Sequence, residues 1–198
     1  LGGAALAGGE SLAAFTFDEA ARAAAMTQGA GLFSAADIAL LDEIAETILP
    51  ETSTPGARAA KTGAFMALMV NDGYTDRAHA VFRDGLKKVD DECRRASGVA
   101  FMSATPAQRL AVVQALDREQ KSVMDARQGP PPTRAPFTPP PSTDEPAHYF
   151  RMMKELALLG FFTSEIGYTK AMRYMESPGR YDPCAPHQPG DKSWAAHA

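Results

Sequence analysis

The chain has 198 residues, about one domain's length, of which 45% are hydrophobic and 22% charged, with 20 basic against 24 acidic side chains and a net charge of −4. Such a length can bury roughly 70% of the unfolded chain's surface, and the composition excludes a wholly disordered chain; scattered basic residues argue against a nucleic-acid or anionic-membrane footprint. Two cysteines exclude a cysteine-ligated iron–sulfur cluster or a four-cysteine zinc site built from this chain alone.

Residues 1–14 are small and apolar, without charge up to Gly9, and Ala5-Leu-Ala7 fits the small-x-small pattern of a signal-peptidase site. They read as the remnant of an export signal, with a flexible terminus as the alternative. Export would place both cysteines in an oxidising compartment. From 15 to 176 the periodicity is helical almost throughout, which predicts an all-α domain, an irregular bundle of about five to six helices. A short helix is expected at 17–26, with Asp18 and Glu19 at its start. Ser34-x-x-Asp37 resembles a capping box, followed by Ile38, Leu41, Ala45 and Ile48 on one face until Pro50. Thr54-Pro55 is expected to cap a second helix carrying Phe65, Met66 and Met69. From Asp76 to Ser97, positions 79, 82, 86, 89 and 93 share one face, so Cys93 reads as a small core residue. Thr105-Pro-Ala-Gln108 is a capping box for a helix through Leu110, Val113 and Leu116 to about Gln128.

Eight prolines between 128 and 146 predict a long extended surface loop within the domain. A fifth helix is expected at about 147–159, with Phe150, Met153 and Leu156 or Leu159 inward and Gly160 ending it, and a sixth capped by Thr163. Residues 177–198 then form a tail whose four prolines oppose helix and central strand, yet which carries Tyr181, Cys184 and Trp194. It reads as an extended arm that finds its burial on another protein, with Arg180 and Tyr181 after the Pro178-Gly179 turn as a pairing enriched at interfaces. Folding back over its own helices is the alternative. Phe161 and Phe162 are consecutive and cannot both enter one core, so one of them is expected to face a partner. With Cys93 in the core, Cys184 is left for a bond to another chain; an internal Cys93–Cys184 bridge is the competing pairing.

No dinucleotide or phosphate-loop fingerprint, haem-attachment motif or serine-nucleophile elbow occurs. The residues therefore nominate no catalytic, cofactor-binding or metal-ligating set for the favoured reading. Cys184 and His187 lack the setting of a catalytic pair. One constellation resembles half of a ferritin-like di-iron site: Asp76-x-x-His79 with Glu145-x-x-His148, which Glu43, Glu46 or Glu119 would complete. Both carboxylates, however, stand at helix starts, where they complement the dipole. Met66, Met69, Met102, Met152, Met153, Met172 and Met175 follow the apolar faces and read as core filling rather than a copper or redox site.

Several motifs together resemble one family: Phe33-Ser-x-x-Asp37 leading to Ile48-Leu-Pro50, Thr54-Pro-Gly-Ala57, Gly85-Leu86, Leu158-Leu-Gly-Phe-Phe-Thr-Ser-Glu-Ile-Gly167, and Pro178-Gly-Arg-Tyr181 with Cys184 and Trp194. From about Phe33 to Trp194 the chain resembles the small (gamma) subunit of membrane-bound flavin-dependent sugar and polyol dehydrogenases, gluconate 2-dehydrogenase subunit 3. The resemblance implies a non-catalytic subunit of a periplasmic complex associated with the inner membrane. Its partners would be a flavoprotein of the glucose–methanol–choline (GMC) type and a multihaem cytochrome c. FAD and haem c, with an iron–sulfur cluster as a further candidate, are expected on those partners and none on this chain. In that family the small subunit typically carries the twin-arginine signal and takes the folded flavoprotein across the membrane with it. The contacts expected to bind the partner are Phe161, Phe162, Arg180, Tyr181, Cys184 and Trp194. The proline-rich insert at 128–146 departs from the family's shorter pattern. Two other readings remain: a ferritin-like metal-binding protein and a self-contained periplasmic helical binding module.

Overall fold

The computed structural model describes residues 31–128 and 145–176, with Gly179, Cys184, Pro186 and 188–195 of the tail. The helix expected at 17–26, the segment 1–14 and nearly all of the proline-rich loop lie outside the described residues. Among the described residues the fold is all-α. Five α-helices follow in order: α1 (Ala35–Ile48), α2 (Thr62–Gly73), α3 (Asp76–Ser97), α4 (Pro106–Gln128) and α5 (Tyr149–Phe162). A 3-10 turn at Phe101–Ser103 precedes α4, and a π-helical turn at Gly167–Ala171 follows α5.

Local chemistry sets most of the helix starts. Ser34 and Asp37 form the expected reciprocal capping box, with Asp37 N–H donating to Ser34 Oγ at 3.2 Å and Ser34 N–H to Asp37 Oδ2 at 2.9 Å. Thr105 and Gln108 repeat it at α4, where Thr105 N–H donates to Gln108 Oε1 at 2.8 Å and Gln108 N–H to Thr105 Oγ1 at 3.3 Å. The second helix departs from expectation. Thr54-Pro55 does not cap it; α2 begins only at Thr62, after Lys61 in a left-handed conformation. The intervening loop is held by acids projecting from α1. The Glu46 carboxylate accepts from Glu51 N–H and Arg58 N–H, both at 2.8 Å, and Asp42 Oδ1 accepts from Gly63 N–H at 2.6 Å in the first turn of α2. Ala57, fully buried, donates its N–H to Leu49 O at 3.0 Å, and its carbonyl accepts from Thr62 Oγ1 at 2.8 Å. Burial pushes the Asp42 carboxyl above its ordinary pKa, against the opposing pull of the Gly63 N–H.

α2 packs against α1 and α5, while α4 packs against α1, α3 and α5. Phe82, Phe101, Phe150, Leu41, Ile44, Met66, Leu116 and Met153 fill the centre, and Phe33 meets Phe82 edge-on at 5.9 Å. On α3 the expected face is the buried one, with Phe82, Leu86, Val89 and Cys93 inside. His79, at the end of that face, is half-buried, and its Nε2 donates to Val70 O at 2.7 Å, tying α3 to the end of α2. Cys93 is a buried free thiol, with Sγ 3.5 Å from Ser97 Oγ. Gly85 lies where α3 crosses α5; a Cβ there would stand 2.5 Å from Tyr149 Cβ. Only a hydrogen fits that crossing.

On α4, Val112, Val113 and Leu116 face inward, but Leu110 is exposed. Its neighbour Arg109 takes the inward place. The Arg109 guanidinium pairs with Glu43 on α1, donates through Nε to Phe101 O at 2.9 Å and through Nη2 to Met102 O at 2.9 Å, and lies over the Phe101 ring. Arg58 in the α1–α2 loop pairs with the second oxygen of the same Glu43. Glu43 is thereby buried between two cations that join α1, the loop, the 3-10 turn and α4.

α5 also differs from expectation. It begins at Tyr149, with His148 as N-cap, and continues through Gly160 to Phe162; Gly160 does not end it but lies buried inside, under the Phe65 ring. Met153 and Leu156 point in and Leu159 points out. His148 Nδ1 accepts from Phe150 N–H at 3.3 Å, and its Nε2 lies 3.5 Å from Glu119 Oε1 on α4. Burial holds the His148 pKa below its ordinary value, and the charges of Lys88 and Arg127 act in the same sense, while Glu119 opposes them. Of the methionines read as core filling, Met66, Met152 and Met153 are buried and Met69 is partly so, whereas Met102 and Met175 lie on the surface.

Three expectations follow. Glu43→Ala should destabilise the fold by about 3 kcal/mol, because it strands the Arg109 cation, whose side chain is only 16% exposed. Arg58→Ala, at an exposed partner, should cost less than about 1 kcal/mol; urea unfolding midpoints compare the two. Gly85→Ala should lower the stability by about 1–3 kcal/mol, read from the same urea unfolding, through overpacking against Tyr149, outweighing the higher helix propensity of alanine. A depressed histidine pKa means that the unfolded chain binds the proton more readily, so the His148 contribution is complete above the ordinary histidine pKa and fades as pH falls through the folded value. His148→Asn, which keeps a capping acceptor, should flatten the difference in unfolding midpoint between pH 7.5 and pH 5.5.

Candidate functional site

The last turn of α5 divides two consecutive aromatic rings. Phe161 points into the core at 4% exposure and Phe162 points out at 38%, with their centroids 5.1 Å apart and edge-on. Leu159, three residues before Phe162 and so on the same side of the helix, is exposed as well. Thr163 does not cap a new helix; its Oγ1 bonds back to Leu159 O at 2.7 Å and closes α5. Ser164 makes the junction instead: its Oγ donates to Phe161 O at 2.6 Å and accepts from Gly167 N–H at 3.0 Å. A Cβ on Gly167 would fall 2.0 Å from Phe161 O, so the chain can turn this tightly against α5 only with glycine there. What was expected as a sixth α-helix is therefore a single π turn, Gly167–Ala171, folded onto the end of α5.

Beyond the turn the chain extends, and the tail comes back to it. Arg173 N–H donates to Ser193 O at 2.9 Å and Ala195 N–H to Arg173 O at 2.8 Å, forming an isolated parallel bridge between Arg173 and Trp194. Lys192 Nζ donates to Lys170 O, and the Arg173 guanidinium stacks over the indole at 4.7 Å. Ala195 is buried. This corrects the expectation that everything beyond Glu176 is buried only on a foreign surface: residues 192–195 dock on their own chain. Prolines bar a ladder, but one bridge needs only the non-proline residues Ser193 and Ala195. The docking leaves the indole 52% exposed.

Of the expected contact residues, then, Phe162 and Trp194 are exposed and Phe161 is inside; Cys184 is exposed, and Arg180 and Tyr181 lie outside the described residues. The structure adds Leu159, Tyr174 and Met175, all exposed, with Tyr168 meeting Tyr174 edge-on at 5.4 Å. Five of the eight large exposed apolar side chains among the described residues thus come from the short stretch between Leu159 and Trp194. Tyr174, Met175 and Trp194 help to line an open groove of about 470 Å³, whose polar wall is Arg173, Lys192 and Thr169. The surface offers apolar contact, ring faces and cationic donors, chemistry suited to binding. Met175 was missed because its spacing from Met172 mimics a helical face.

The carboxylate–histidine constellation does not assemble. Asp76 is fully exposed at the start of α3, 3.7 Å from its own His79. Glu145 pairs with Arg127 at 3.1 Å, His148 caps α5, Glu43 pairs with arginines and Glu46 binds backbone N–H groups. Among the described residues no three His, Cys, Asp or Glu side chains stand close enough together to hold a metal ion. No described helix is long and apolar enough to cross a membrane.

The motifs quoted for the resemblance now have structural roles. Ser34 and Asp37 cap α1, Ala57 anchors the buried loop, Gly85 admits Tyr149, and the run from Leu158 to Gly167 builds the turn beneath the exposed rings. A family model described as gluconate 2-dehydrogenase subunit 3 matches residues 35–179, from the first residue of α1 to the third residue of the tail, so that Cys184 and Trp194 lie beyond the match. No curated protein and no solved structure matches the chain. With more than half of its length matched, including all five helices, the chain belongs to the gluconate 2-dehydrogenase subunit 3 family.

Proposed function

We propose that this chain is the non-catalytic small subunit of a periplasmic, membrane-associated, FAD-dependent sugar dehydrogenase, and that it serves the export, assembly and stabilisation of a GMC-type flavoprotein. Family membership supports the reading at the level of a dehydrogenase subunit. The observation that carries the binding role is the exposure of Leu159 and Phe162 on the last turn of α5 and of Tyr174, Met175 and Trp194 along the groove that follows it in the chain. Large apolar side chains gathered on a surface mark interaction sites, and aromatic residues dominate binding energy at such sites.

In this reading the catalytic subunit carries FAD, with an iron–sulfur cluster as a further candidate on a partner, and a multihaem cytochrome c takes the electrons. The chain itself supplies a platform. Phe162 and Trp194 act as anchors, Arg180 and Tyr181 extend the contact along the tail, and Cys184, exposed, forms a disulfide to the flavoprotein. By the same family resemblance, the pair would cross the membrane already folded, by the twin-arginine route.

Affinity purification of the tagged chain from its native cells should recover a flavin-containing protein with sugar-dependent dye reduction. Phe162→Ala combined with Trp194→Ala should reduce the recovered flavin on the order of tenfold or more, as expected for the loss of anchors each worth about 2 kcal/mol. A non-reducing gel should show a larger species that disappears with Cys184→Ser. Recovery of the chain alone, without flavin, would overturn the reading.

A further inference from the structure

We propose that the returning tail and the π turn form a preorganised cationic clamp for an acid-rimmed apolar surface of the catalytic subunit, an inference that rests on the accessory-subunit reading above. Among the described residues Arg58 and Arg109 share Glu43, Lys87 meets Asp84, Arg127 meets Glu145 and Lys154 meets Asp117, whereas Lys61, Arg77, Arg83, Lys88 and Arg118 meet no acid. Lys170, Arg173 and Lys192 form no ion pair with any acid among the described residues. Their positions are far apart in sequence, yet the bridge between Arg173 and Trp194 and the Lys192–Lys170 hydrogen bond bring all three to one place.

A chain of net charge −4 that gathers three cations, without an ion pair among the described residues, around an exposed indole concentrates positive charge there against its own total. Arg173 is also incompletely satisfied. Its Nε is enclosed and finds no hydrogen-bond partner among the described residues, while its guanidinium carbon lies over the Trp194 ring, 4.7 Å from the ring centre. An arginine fixed in this way has already lost much of its side-chain freedom, so a carboxylate that reaches the guanidinium meets a donor fork ordered in advance. Tyr174, Met175 and the free face of Trp194 supply the apolar centre, and the three cations supply its rim. An anionic membrane fits less well. Three basic residues contribute only about 1 kcal/mol each at such a surface, against the repulsion of a net acidic chain, and the indole is stacked on Arg173 with only its outer face available for insertion.

The test uses the tagged full chain co-produced with its catalytic subunit, as wild type and as the double variant Lys170→Glu with Lys192→Glu. The measurement is the flavin retained on the column as salt is raised, in reducing buffer so that no Cys184 disulfide holds the catalytic subunit there, and Lys170→Glu alone serves as a milder variant because that side chain makes no hydrogen bond among the described residues. Trp194 is the only tryptophan, so unchanged emission of each isolated variant shows that the tail stays docked. The expected result is flavin release at lower salt for both variants, with at least about tenfold less retained by the double variant at moderate salt. Equal retention by variant and wild type at every salt would overturn the clamp while leaving the accessory-subunit reading in place. Absence of flavin even from wild type would overturn that reading itself. Binding of wild type to phosphatidylglycerol vesicles, lost in the double variant while flavin retention is unchanged, would overturn the clamp in favour of a lipid surface.

Discussion

A single buried carboxylate organises the packing. Glu43 sits on α1 where an apolar residue would satisfy the helix's own periodicity, and it meets two guanidinium groups, one from the adjacent loop and one from α4. Because ions lose hydration on burial, such a group persists only where its partners are in place. Arg109 in turn spends its remaining donors on the carbonyls of Phe101 and Met102, which fixes the 3-10 turn and hence the direction in which α4 departs. The arrangement couples four segments that also contribute to the one apolar core.

The neighbouring acids on α1 extend the same logic to the backbone. Asp42 and Glu46 accept N–H groups from the loop and from the first turn of α2, so the segment between Pro50 and Lys61 is ordered without regular secondary structure. One face of α1 thus addresses the core with Ile38, Leu41 and Ala45, while its edge addresses the loop with carboxylates. The Thr54-Pro-Gly-Ala57 motif belongs to this scaffold rather than to a reacting centre.

Much of the fold was legible because it depends on local chemistry. The capping boxes at Ser34 and Thr105, the buried face of α3 and the core position of Cys93 follow from spacing alone. What escaped depends on contacts between distant residues. Glu43 and Arg109 are remote in sequence, and nothing near either residue marks the pair. The late start of α2 reflects acceptors supplied by α1, and the helicity of Gly160 reflects the Phe65 ring lying over it. At the candidate site, the separation of Phe161 from Phe162 was readable from helix geometry, but the return of the tail was not. The prolines spoke against regular structure, and a single bridge is too small a unit to leave a periodic signal.

That bridge changes the character of the C-terminal segment. A chain that departs at Arg173 and is captured again at Trp194 is a closed excursion, tethered at both ends, rather than a free end. The entropy of closing such a loop grows only with the logarithm of its length, about 0.6 kcal/mol for each doubling. Insertions and deletions within the excursion should therefore be nearly neutral for the bundle, so that related chains can diversify there in length and composition while the helical platform stays the same.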